Sequence, residues 1–129
     1  YNQRNPVWSE NFYKAISNSS MAININRGKS KKYSSSNRIG SLMGNGLLTF
    51  MDNKKQFDHF FNKDEMIFFD NTSDLTDKLN FYKNNETTRK KIAKKGQKKY
   101  FKLFNCEDVA KYIIEKSMNP DSNYKPSWE

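Results

Sequence analysis

The sequence predicts an α/β domain, a short parallel sheet with helices on both faces, and three observations carry that prediction. Short apolar runs alternate with stretches of helical period, the pattern of repeated β-α units. Ten Phe, seven Tyr and two Trp make the chain 15% aromatic, far more than a solvated coil carries, so a packed core is expected. The 129 residues suit one domain that buries a single modest core, and no internal repeat of fixed period competes with that reading.

The elements follow in chain order. After an extended lead containing Pro6, Ser9 is placed to cap a helix whose Phe12, Tyr13 and Ile16 share a face, and residues 20–26 (SMAININ) read as a first strand. Arg27 to Ser34 is a polar loop, Ser35 or Ser36 caps the next helix, and Ile39, Leu42 and Met43 give that helix its buried stripe. Gly44-Asn45-Gly46 ends it, because Gly and Asn enter the left-handed backbone cheaply, and residues 47–51 (LLTFM) then form a buried strand. A short helix is expected around Phe57, Phe60 and Phe61, and a third strand at residues 66–69 (MIFF). Asp70 to Ser73 supplies a cap for a helix with Leu75, Leu79 and Tyr82 on one side.

Strands joined by helical crossovers are parallel and right-handed, hence a three-layer Rossmann-like domain, here without a dinucleotide fingerprint. Two helices end it: one from about Glu86 to Phe104, and one capped by Asn105 with Val109, Ala110, Ile113 and Ile114 inward. Gly96 shares the buried face of the first with Ile92, Tyr100 and Leu103. A glycine there costs about 1 kcal/mol relative to alanine, so another backbone is expected to approach it closely. Residues 1–117 are read as the domain and 118–129, with Pro120 and Pro126, as a tail that packs through Tyr124 and Trp128.

Composition narrows the function classes. Mean hydropathy is -1.02, and no apolar run approaches the ~20 residues that span a bilayer, so a soluble domain is expected; the single cysteine fits a reducing, cytoplasmic setting, at most peripheral at the inner face of the membrane. Cys106 and His59 are the only residues of their types, which allows no internal disulfide and too few soft ligands for zinc; no metal and no cofactor are expected. As a nucleophile and base they lack both spacing and a third orienting group. The net charge of +9 favours phosphate-bearing partners. The first residue is Tyr1, with no leader pattern, and the chain reads as a piece of something longer.

In open parallel sheets ligands bind outside the carboxyl ends of the strands, and of the three exits only the first concentrates cations: Arg27, Lys29, Lys31 and Lys32. That loop enters a helix whose start carries Ser35, Ser36, Asn37 and Arg38, so free N–H groups, hydroxyls and a guanidinium converge on one anion, a diphosphate by preference. Arg38 is the sharpest candidate, since its planar fork grips two oxygens at once. A capped surface helix with solvated basic neighbours is the competing reading. Gly28-Lys29-Ser30 imitates the end of a Walker A loop, but Ile23 stands where its first glycine belongs, and Gly40, Gly44 and Gly46 lack dinucleotide spacing.

Arg89, Lys90, Lys91, Lys94, Lys95, Lys98, Lys99 and Lys102 make the second basic feature. They read as the solvated side of an amphipathic helix, or as a non-catalytic module that binds an anionic membrane or nucleic acid. Nucleic acid is disfavoured, because no aromatic platforms accompany these lysines.

Taken in order, SSSNRIGSLMGNGLLTF, MIFFDNTSDLTDKLNFY and TTRKKIAKKGQKKYF resemble the carboxyl-terminal domain of group 1 glycosyltransferases, in particular their spore-maturation-like branch. The likeness covers roughly residues 9–115 and rests on Arg38, Gly46, strands 47–51 and 66–69, Asp74-Leu75, and Ala93 with Gly96. It implies the donor-binding half of a bacterial, metal-independent GT-B enzyme of surface glycan synthesis. The donor would be a nucleotide-diphosphate sugar, and a glycan, lipid or protein acceptor would be held by an amino-terminal half, so this half alone would be inactive. Arg38 would contact the donor diphosphate. Ser41 stands where the family often carries a ribose-holding glutamate, and is a weaker nucleoside-binding candidate.

Overall fold

A computed structural model describes residues 5–25 and 31–129. Helix α1 (Ser9–Ser17) leads into strand β1 (Met21–Asn24), followed by α2 (Arg38–Gly44) and β2 (Leu48–Asp52). Two 3₁₀ turns (Asn53–Lys55 and Phe57–His59) precede β3 (Ile67–Phe69), and helices α3 (Thr72–Asn84), α4 (Glu86–Leu103) and α5 (Cys106–Met118) complete the chain. All three strands are parallel, in the order β1-β2-β3, with Ile23 beside Phe50 and Phe50 beside Ile67. The α/β prediction therefore stands.

The central strand is the driest part of the molecule: Leu48, Thr49, Phe50 and Met51 are at most 1% exposed. At roughly 1.5–3 kcal/mol for each large apolar side chain removed from water, this strand anchors both layers around it. Alternation puts Leu48, Phe50 and Ile67 on one face, against Leu75, Leu79, Tyr82, Ile92 and Ala93 of α3 and α4. Met51 and Phe68 point to the other, against Met43 of α2, Phe57 and Phe61 of the turn region, and Leu103 of α4. Helix α4 thus touches both layers.

It does so by crossing beneath the amino-terminal end of the sheet, and Gly96 makes the crossing possible. A Cβ at Gly96 would overlap the carbonyl oxygen of Glu65, just ahead of β3, and lie 3.1 Å from Met43 Cε. The backbone approach inferred from the sequence is present. Gln97 Nε2 donates to Gly44 O (2.7 Å) at the end of α2. There Gly46 takes φ 73°, and the amides of Gly46 and Leu47 return to Met43 O and Leu42 O.

Several local expectations change. Ser9 is the first residue of α1 rather than its cap, with φ 52°, and Tyr13 is 63% exposed. The expected helix around Phe57–Phe61 is a 3₁₀ turn, since Gln56 at φ 55° interrupts the chain before a longer helix can form. Asn71 and Asn105 cap α3 and α5 as the sequence suggests, accepting from Asp74 N (3.0 Å) and Asp108 N (2.8 Å).

The largest correction concerns α5. Ala110, Ile113 and Ile114 face outward, the isoleucines 57% and 62% exposed, because the tail covers the helix's other side. Trp128 packs on Phe104 and Tyr112, while Tyr124 Oη and the Ser127 amide and hydroxyl donate to the Asp108 carboxylate.

Those bonds from Ser127 and Tyr124 hold the Asp108 carboxyl below the usual carboxylate range, and the same carboxylate pushes the Tyr124 phenol up to about 12. A depressed acid contributes fully above its unfolded value, and its contribution is lost as pH falls through the lower folded value. In a Trp8→Phe protein Trp128 is the sole tryptophan. Its emission should shift to the red as pH drops below about 4, and Asp108→Asn should show that shift at neutral pH. Emission unchanged in both would mean that Asp108 does not hold the tail.

Candidate functional site

The exit of β1 gathers polar groups from four segments. Asn24, the last residue of the strand and 2% exposed, donates from Nδ2 to Ser35 Oγ (2.6 Å), and its Oδ1 is buried without a partner among the described residues. Buried unsatisfied polar atoms are uncommon and cluster where a structure does something other than pack. Arg38 opens α2 and folds back toward the strand. Its Nη2 donates to Ile25 O (2.7 Å), and its Nε to Ser36 Oγ (2.9 Å), which also accepts from Arg38 N (3.1 Å). The guanidinium is thereby held over the strand exit, with N–H groups that have no partner among the described residues.

Of the residues proposed from sequence, Ser35, Ser36 and Arg38 therefore meet at one place. Arg27 and Lys29 lie outside the described residues. Asn37 occupies the cap position of α2 but adopts helical dihedrals and makes no capping bond, so the helix starts later than Ser35 or Ser36 would have set it. Ser41 sits one turn along from Arg38, its carbonyl accepting from Asn45 Nδ2 (2.7 Å).

Lys55 is the residue that sequence reasoning missed. It lies just past β2, is only 5% exposed, and donates from Nζ to Ser34 Oγ (3.1 Å), while its own carbonyl accepts from Tyr33 N (2.9 Å). Its burial comes from residues 33 and 34 of the first exit folding over the second, a contact between distant segments that leaves no local signal. Among the described residues no carboxylate pairs with Lys55 or with Arg38. An ammonium held in the fold without a counter-charge is a place where a bound anion is stabilising.

Beside Ser35 a groove of about 330 Å³ opens, walled by Tyr33, Phe57, Phe60, Tyr100 and Phe104. Tyr33, at φ 56°, sets its ring 5.3 Å from His59 and 5.1 Å from Phe60, and burial pushes the Tyr100 phenol up, so it stays a hydrogen-bond donor. A cationic strand exit beside an aromatic groove suits a ligand with an anionic and a planar part. His59 serves this aromatic wall, whereas Cys106 is exposed at the start of α5. Among the described residues no three His, Cys, Asp or Glu side chains converge as a metal cage would need. None of the described helices is long and apolar enough to cross a membrane.

A family model described as glycosyl transferase-like matches residues 1–115. No curated protein and no solved structure matches the chain.

Proposed function

The chain belongs to the glycosyl transferase-like family, and from that premise we propose that it binds a nucleotide-diphosphate sugar at the exit of β1 for transfer to an acceptor. The observation that carries this reading is the pairing of Arg38, pinned to Ile25 and Ser36, with buried Lys55 on Ser34: two cations anchored two residues apart on one loop. The diphosphate bridges them. Ser35 and Ser36 add hydroxyls, Arg27 and Lys29 add charge from the same loop, and Asn37 and Ser41 are weaker members. The aromatic groove takes the nucleoside.

In the reaction the bond from the sugar anomeric carbon to the diphosphate oxygen breaks, and the electron pair leaves with the diphosphate. An acceptor oxygen forms the new bond and gives up its proton. Arg38 and Lys55 act on the first half, offsetting charge as it grows on the leaving group. The acceptor and the base that takes its proton belong to the amino-terminal half implied by the GT-B likeness, so this domain alone binds donor without turning it over. Leaving-group charge is met by protein cations, without a metal. The setting that fits is bacterial surface glycan synthesis at the cytoplasmic side.

Titration with UDP-, GDP- and ADP-glucose tests the reading. At least one should shift the amides of residues 24–41 and 53–57 and leave those of residues 113–118, at the far end of α5, in place. If all three leave those amides in place, the donor site is not here.

A further inference from the structure

The amino-terminal end of the sheet carries a second concave site. A pocket of about 340 Å³ lies between the start of β1 (Ser19, Ser20), the turn at Gly46 and the outer side of α4 (Arg89, Lys90, Lys94). It stands at the opposite end of the strands from Arg38 and Lys55, so neither the donor nor its leaving group reaches it.

Helix α4 holds eight cations and one carboxylate, a net +7 out of the chain's +9. Two of its lysines have acidic partners: Lys95 pairs with Asp64, and Lys90 with Glu86 (2.6 Å) in an exposed i,i+4 contact that contributes little. Lys94, at the pocket mouth, pairs with no carboxylate among the described residues. Arg89 is fixed by donating from Nη1 to Tyr82 O (2.9 Å) and Lys83 O (3.2 Å), carbonyls in the last turn of α3, while its Nε is buried without an acceptor among the described residues. Solvated lysines along a helix would need no pocket; here the charge faces a cavity with a serine rim.

We propose that this pocket binds a phosphate group, carried by an anionic lipid headgroup or by a soluble phosphate ester. A tetrahedral oxyanion offers separate acceptor oxygens to Lys90, Lys94 and Ser20, and Arg89 supplies fixed positive charge behind them. Ala93 and the Gly46 backbone leave room for the glycerol or sugar that bears the phosphate.

The test uses the 129-residue chain with three probes: inorganic phosphate, glycerol 3-phosphate, and phosphatidylcholine vesicles with or without phosphatidylglycerol. Phosphate or its ester should shift the amides of residues 19, 20, 46 and 89–97. Binding only to the phosphatidylglycerol vesicles, by co-sedimentation, would identify the bilayer as the source. Lys90→Ala with Lys94→Ala should weaken the responding probe about tenfold, as loss of charge-assisted contacts predicts. Lys99→Ala with Lys102→Ala removes equal charge outside the pocket and should change binding less than about twofold. Equal losses from the two double variants would mean diffuse attraction to the helix and overturn the proposal. So would amides that respond to none of the probes together with no preference for anionic vesicles.

Discussion

Gly96→Ala is expected to destabilise the domain by about 2 kcal/mol, although the same change in an open helix stabilises by about 1 kcal/mol. The methyl would overlap the Glu65 carbonyl oxygen and crowd Met43 Cε. Backbone cannot rotate away as a side chain end can, so α4 must shift, and overpacking of this kind costs roughly 1–3 kcal/mol, sometimes more. The steric term outweighs the helix preference. Thermal and urea unfolding followed by circular dichroism would read this as a fall of about 8 °C in Tm, with Lys98→Ala on the exposed side of α4 within about 0.5 kcal/mol of the parent. A Gly96→Ala protein as stable as the parent would show that α4 does not pass so close beneath β3.

Arg38→Ala should weaken pyrophosphate binding about 10- to 100-fold, the loss expected for charge-assisted hydrogen bonds worth about 1.5–3 kcal/mol. Pyrophosphate is the right probe because it carries the recognised group without committing to a base. Arg38→Lys should recover only part of the affinity, since a point charge cannot reproduce the bonds to Ile25 O and Ser36 Oγ that aim the guanidinium. Calorimetry on folded protein decides it. Affinity unchanged in Arg38→Ala, with the dichroism of the parent, would remove Arg38 from the site.

What could be read beforehand followed the range of the interactions. Caps at Asn71 and Asn105 and the turn at Gly46 depend on neighbours in sequence, and they stand where the sequence placed them. The buried strand at residues 47–51 was legible for a related reason, being apolar on both faces in one continuous run. It ends one residue later, at Asp52. The faces of α5 were not legible, because its apolar stripe names a side that wants cover without saying what covers it. The tail takes the side of Asp108 and Tyr112 instead. At the strand exits, Arg38 announced itself through a helix start, whereas Lys55 looked like any polar turn residue. Only the fold of residues 33 and 34 over it makes it a buried cation.

Because one continuous helix underlies both layers of the sheet, the layers cannot open one at a time. Pulling α3 away from the Phe50 side strains the same rod that seals the Met51 side, so partial loosening is penalised twice. A molecule arranged this way melts in a single step.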